Sequence, residues 1–232
     1  MRLRALRLSH PDDPWPKEPE ACPRITKNIN QPVKLKSMEG CRRRRLVVCI
    51  SGLAATGKST VARRLAKALN VKYVSGGQAL KQLAIERGYS PGGEDWWEKP
   101  EGLKFLNERS SNPEFDKLVD AKLIELASRE DVVVDSWVLP WLLKDGYKVW
   151  LKADEEERAA RLAKRSGMPI DVAKEILRKR DSESQDIYKR LYGISLGSDL
   201  SPFDVVLDTT GLNEDEVYRL LLSLIKLHYG LR

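Results

Sequence analysis

Nine consecutive residues, Gly52-Leu53-Ala54-Ala55-Thr56-Gly57-Lys58-Ser59-Thr60, carry the spacing G-x-x-x-x-G-K-S/T. Two glycines at that spacing let the backbone turn its N–H groups inward on a polyphosphate, and the helix that follows adds the partial positive charge of its N-terminus. Lys58 is the side chain that reaches β- and γ-phosphates, and Ser59 offers a hydroxyl to a magnesium ion. A second oxygen donor for that ion is expected from Asp135, which ends the apolar run Val132-Val133-Val134. A carboxylate at the C-terminal end of a strand beside the loop is placed to complete a magnesium shell. Transfer of a phosphoryl group also needs cations that close over the moving group. The charged stretch 154–198 supplies candidates: Arg158, Arg161 and Arg165, three and four residues apart on one helix face, and Arg178 and Arg180 from a second arm. Much of such a run is a solvated helix face tied by neighbouring opposite charges.

The elements that must hold these groups follow from periodicity. Apolar, β-branched runs predict strands near 46–51, 72–75, 131–135, 147–151 and 204–207. Helical spacing predicts helices near 58–69, 77–87, 114–129, 154–166, 170–191 and 213–228. Strands alternating with helices imply an α/β fold: a P-loop three-layer sandwich around a five-stranded parallel sheet. Two stretches interrupt the alternation, a helical insert over 76–130 and the excursion 164–198, read as a lid. The insert carries Lys81 and the pair Trp96 and Trp97 among Gly92, Gly93 and Pro100. Paired tryptophans in such a loop either stack on a ligand base or plug the core beneath the loop, and the second is the more common use. Trp137, Trp141 and Trp150 read as strand or core residues.

Charge and composition narrow the partners. Of the net +7, residues 1–45 hold 12 Lys and Arg against 5 Asp and Glu, and residues 46–232 balance at 29 against 29. The globular part carries no basic footprint, so contact with nucleic acid is expected only through the N-terminal stretch. That stretch, with prolines at 11, 14, 16, 19, 23 and 32 and no sustained period, reads as a disordered basic extension, with Met38 as an alternative start. Cys22, Cys41 and Cys49 do not make a disulfide framework or a four-ligand zinc site. Without a long apolar run or a secretory signal, a cytoplasmic monomer that handles small molecules and no membrane is expected.

Taken in order along 46–228, the residues resemble nucleoside monophosphate kinases, most of all the archaeal type of cytidylate kinase. The resemblance rests on Ile50-Ser51-Gly52 through Thr60, Lys72-Tyr73-Val74-Ser75-Gly76-Gly77, and Leu83-Ala84-Ile85-Glu86-Arg87-Gly88. It continues through Asn112-Pro113-Glu114-Phe115-Asp116 with Asp120, Val134-Asp135-Ser136 with Trp141, and Glu157-Arg158-Ala159-Ala160-Arg161. Arg180-Asp181, Tyr188, Tyr192-Gly193-Ile194 and Phe203 through Thr209 complete it. The resemblance implies ATP as co-substrate with Mg2+, transfer of the γ-phosphoryl group to CMP or dCMP, an acceptor-binding insert and a closing lid. By it, Lys58 and the loop amides hold the donor phosphates, Ser59 and Asp135 serve magnesium, and Arg161, Arg165 and Arg180 stabilise the transferred group. Ser75, Lys81, Asp120 and Ser136 would line the acceptor side; apart from the resemblance, Trp97 of the tryptophan pair is a candidate to join them. Where the family usually shows arginines on that side, this chain has Lys81, Trp137 and Ile187, and the stretch from Gly88 to Asn112 is longer than expected. A kinase of the same fold acting on another nucleotide or a small hydroxyl metabolite, and an ATP-binding module without catalysis, are the competing readings.

Overall fold

A computed structural model describes residues 45–93, 95–112 and 114–231. The expected N-terminal extension, with the alternative start at Met38, lies outside these residues except for Arg45.

Five parallel strands, β1 (Val47–Gly52), β2 (Lys72–Ser75), β3 (Val132–Asp135), β4 (Tyr147–Lys152) and β5 (Val205–Asp208), form one sheet in the order β2-β3-β1-β4-β5. Because β1 is central, its side chains alternate between two covered faces. Val48 and Ile50 join Val133, Val149 and Leu151 in a core against α1 (Lys58–Leu69) and α8 (Glu214–Tyr229), which bring Val61, Leu65, Leu221 and Ile225. Val47 and Cys49 point the other way with Val132 and Val134, toward Leu80 and Ala84 of α2 (Gly76–Glu86) and Phe115 and Leu123 of α4 (Glu114–Arg129). Each fully buried Val, Leu or Ile contributes roughly 1.5–3 kcal/mol, so the two faces fix the register that places the strand ends. Burial pushes the Cys49 thiol up to about 12, as befits a small hydrophobe inside a strand.

That register matters at one point above all. Ile50 pairs with Asp135 across β1 and β3, and Ser75 pairs with Asp135 across β2 and β3. The C-terminal ends of three adjacent strands therefore deliver the P-loop, the carboxylate and the first residue of the insert to one edge of the sheet.

The insert contains α2, a 3-10 turn (Trp96–Glu98), α3 (Pro100–Ser111) and α4. The sequence pattern anticipates α2 and α4 but does not delimit α3, which follows directly on the Gly- and Trp-rich loop. Pro100 starts α3, where its missing N–H costs nothing. Beyond β3 a short α5 (Leu139–Leu142) precedes β4. The excursion after β4 is a pair of helices, α6 (Glu155–Ser166) and α7 (Ile170–Tyr192), packed through Ala159, Leu162, Ala173 and Leu177, with Ala54 of the P-loop in the same cluster. α7 is also stitched to the insert: Lys179 donates to Asn107, Arg190 to the Ser110 carbonyl, Tyr188 to Asp116 and Tyr192 to Asp120.

Candidate active site

The phosphate loop begins where β1 ends. Gly52 has φ of 149°, and a Cβ there would sit 2.2 Å from the Leu151 carbonyl oxygen of β4. Only glycine lets the chain leave the sheet at that point without prising the strands apart. At the far end Gly57 takes φ of 92° and caps α1, whose first intrahelical bond runs from the Val61 amide to the Gly57 carbonyl. The amides of Lys58, Ser59 and Thr60 thus have no acceptor within the helix, which makes this turn an anion cradle.

Lys58 is 7 % exposed, and its Nζ donates to the Leu53 carbonyl at 2.7 Å. Burial brings its ammonium down to about 8, partly offset by the carboxylates of Asp135 and Asp181. A cation held this way is charged at neutral pH yet short of negative partners, and a polyphosphate would supply them. Ser59 Oγ donates to Asp135 Oδ2 at 2.5 Å. A hydroxyl and a carboxylate side by side at the mouth of the loop are hard oxygen donors of the kind magnesium takes together with phosphate oxygens and water. The residues present therefore fit the ion. Among the described residues there is no group of three or more His, Cys, Asp and Glu arranged as a metal cage; magnesium bound mainly by substrate phosphates needs none.

A cleft of about 500 Å3 opens from this point. Its walls include Lys58, Ser59 and Asp135 around the P-loop, Ser75, Lys81, Trp97, Asp120 and Ser136 from the ends of β2 and β3 and from the insert, and Arg165 and Arg180 from α6 and α7. The residues expected at the site from the sequence line this cleft or belong to the P-loop itself, except Arg158, Arg161 and Arg178. Arg161 is turned away: it donates to Glu157, to the Thr209 hydroxyl at 3.0 Å and to the Thr209 carbonyl at 2.7 Å. It lines a second pocket, of about 450 Å3, with Thr56, Gly57, Leu212 and Asn213. The expectation that the arginines of α6 close over a moving group together is corrected: Arg158 reaches the loop only at the Ala54 carbonyl, and Arg161 does not reach it. They share a face, but Arg158 is buried against Asp181 and the Ala54 carbonyl, Arg161 crosses to the β5–α8 loop, and Arg165 reaches Glu98. A long side chain swings far from its Cα direction, so helical spacing gives the face and not the destination. Arg178 likewise stays outside, its exposed side chain bonded to Glu155.

The hydroxyls of Ser75 and Ser136 accept from backbone amides, Ser75 from Gln78 at the start of α2 and Ser136 from Val138 and Leu139 at the start of α5. Each keeps its own O–H to donate. Lys81 donates to the Gly92 and Gly93 carbonyls, holding the insert loop folded beside the cleft. Trp96 and Trp97 lie in different surroundings. Trp96 is 2 % exposed, and its Nε1 donates to the Ser90 carbonyl, so it is the plug; Trp97 packs edge-on against it and lines the cleft.

Asp120 is buried and accepts from the Tyr192 hydroxyl at 3.0 Å. Burial first, then repulsion from Asp116, raises its carboxyl to about 7. Beneath it Arg109 grips Asp116 with two bonds of 2.9 and 2.7 Å, and Tyr188 donates to the same carboxylate. This network went unmarked in the sequence reading, because Arg109 and Asp116 lie on different helices and no spacing rule joins them. Trp137 was also missed as a site residue. Its ring lies 5.3 Å from Lys58 Nζ and its carbonyl accepts from Ser51 Oγ, while Ile187 is wholly buried in the neighbouring apolar cluster against which Trp137 packs. Both positions belong to one hydrophobic contact region. The signal available was the pair of departures itself.

A parallel sheet with a Gly-Lys-Ser loop between its central strand and first helix, an aspartate at the end of the next strand and an arginine-bearing helical pair over the loop defines a P-loop phosphotransferase fold. A solved protein from Eubacterium ventriosum, uncharacterised in function, shares that fold, with a TM-score of 0.53 at 16% identity over 78% of this chain and 99% of its own. The family model described as "Cytidylate kinase-like family" matches residues 47–211, and the chain belongs to that family. Among curated relatives, the cytidylate kinase of Sulfurisphaera tokodaii is 37% identical over 76% of this chain and 93% of its own length. That of Pyrococcus abyssi is 32% identical over 81% and 95%, and that of Methanopyrus kandleri 31% over 78% and 93%. No helix among the described residues is long and apolar enough to cross a membrane.

Proposed function

We propose that this chain transfers the γ-phosphoryl group of ATP to the phosphate of CMP or dCMP, giving the diphosphate and ADP. The observation that carries the reading is the 500 Å3 cleft, in which Lys58, Ser59 and Asp135 share one cavity with Ser75, Lys81 and Asp120 and with two arginines of the lid. Donor and acceptor groups that line one cavity allow direct in-line transfer, with no residue required as a covalent carrier.

In this reading the loop amides and Lys58 hold the β- and γ-phosphates, and the second pocket, walled by Arg161, Thr209 and Leu212, takes the nucleoside of ATP. Arg161 therefore serves the donor nucleoside and not the moving group. Magnesium would be held through Ser59 and Asp135, where it neutralises charge shared by donor phosphates. Arg165 and Arg180 meet the transferring phosphoryl. No general base is needed, since the attacking phosphate oxygen is already an anion. Lys81 is the cation of the insert for the acceptor phosphate. It keeps a charge where the family usually has an arginine but lacks the bidentate fork. Asp120, whose carboxyl is pushed up to about 7, is suited to read a base edge that both donates and accepts, as the N3 and N4 edge of cytosine does. Trp97 offers an indole for stacking beside it.

ADP release measured with CMP, dCMP, UMP, AMP, GMP and shikimate tests the assignment. Turnover is expected with the cytidine nucleotides and is lost in Lys58→Ala. Stimulation by shikimate or a purine nucleotide alone would defeat it.

A further inference from the structure

The 3-10 turn of the insert places one carboxylate where the lid arginines meet. Glu98 Oε1 accepts from Arg165 Nη2 of α6 at 2.7 Å and from Arg180 Nη1 of α7 at 2.7 Å. Its side chain is 2 % exposed, and the second oxygen, Oε2, is buried with no partner among the described residues. The turn is held from below. Trp96 is buried and bonded to the Ser90 carbonyl, and a Cβ at Gly102 of α3 would lie 2.1 Å from the Trp96 carbonyl oxygen, so helix and turn are in direct backbone contact.

A carboxylate recruited only to tie elements together gains most by using both oxygens, as Asp116 does with Arg109. Glu98 instead puts both cations on one oxygen and leaves the other buried without a partner, a costly arrangement that asks for a reason. Two cations on one anion also leave a net positive charge. Arg165 and Arg180 line the cleft while they hold Glu98, and no bond from their other guanidinium nitrogens is formed among the described residues.

We propose that Glu98 is a positioning residue for phosphoryl transfer: an insert-borne carboxylate that sets Arg165 and Arg180 side by side, each with its remaining N–H groups free for the moving group. The proposal rests on the reading above in taking those arginines as the groups that meet the phosphoryl. It also ties assembly of the arginine pair to the insert, so the acceptor side and the lid form one catalytic unit.

The test uses the full chain with ADP, magnesium and aluminium fluoride, a mimic of the transferring phosphoryl, with binding followed by calorimetry in wild type, Glu98→Ala, Glu98→Gln, Arg180→Ala and the Glu98/Arg180 double variant. Glu98→Ala is expected to weaken binding of the mimic about 10- to 100-fold and of ADP alone less than about twofold, with kcat falling by a similar factor and KM for ATP nearly constant. In the Arg180→Ala background the same change costs clearly less than in the wild type, because only Arg165 is left for Glu98 to place. Glu98→Gln, isosteric and retaining the accepting oxygen, falls between and controls for folding. An equal loss in both backgrounds, an equal loss for ADP alone, or an unchanged or raised kcat overturns the proposal. Because the mimic needs no acceptor, a wild type that ignores CMP would defeat the proposed function while this comparison still decides on Glu98.

Discussion

Lys58 should make nucleotide binding a proton-coupled event. Burial lowers its ammonium from 10.5 to about 8, which corresponds to a preference of about 3 kcal/mol for the neutral form relative to a solvated lysine. The sign follows directly: a lowered pKa means that the free protein loses this proton as pH rises through about 8, while a polyphosphate against Nζ favours the ion and restores it. Binding of ATP or ADP should therefore take up about 0.1 proton at pH 7, about 0.5 at pH 8 and about 0.9 at pH 9. The apparent Kd should rise about tenfold per pH unit above 8, until the lysine of the complex itself titrates. Calorimetry in buffers of different ionisation enthalpy reads the uptake directly. At pH 8 and 9 the nucleotide's terminal phosphate is almost fully ionised, so the uptake there is read without its contribution. Lys58→Arg, which does not titrate in this range, should show no uptake. Absence of uptake at pH 9 in the wild type, or equal uptake in Lys58→Arg, would refute the placement of Lys58 as a buried cation that waits for phosphate.

Two further outcomes follow from the acceptor side. Arg109→Ala leaves Asp116 buried with only the Tyr188 hydroxyl; it should cost about 3–5 kcal/mol in urea unfolding, and Arg109→Ala with Asp116→Ala should recover part of that loss, whereas simple additivity would contradict the pairing. Asp120, raised to about 7, contributes stability that is present below about pH 4 and lost as pH climbs through about 7; Asp120→Asn should thus be more stable than wild type at pH 8 by roughly 1–2 kcal/mol while its KM for the acceptor rises, and a variant no more stable, with unchanged KM, would remove Asp120 from the site.

What was legible in the sequence was local. The loop from Gly52 to Thr60, the β-branched strands around it and the helix of Lys58 each declare themselves within a dozen residues, and the structure places them as expected. Asp135 was legible too, since a carboxylate that ends a valine run has one place to go in a parallel sheet. Destinations of long side chains were not. Arg161 and Arg165 sit four residues apart on one helix, yet Arg165 reaches the cleft and Arg161 does not. That choice is made by Thr209 and Glu98, acceptors about 50 and 70 residues distant in the chain. The buried network of Arg109, Asp116, Asp120, Tyr188 and Tyr192 was hidden for the same reason. Its members lie on three helices, and only the folded chain brings them together.

Following the label from γ-labelled ATP tests the central claim most directly, with CMP present and the products separated by chromatography. The label should appear in the β-phosphate of CDP, in the wild type and not in Lys58→Ala. Label recovered only as inorganic phosphate, or on an acceptor other than a cytidine nucleotide when several are offered together, would contradict the account.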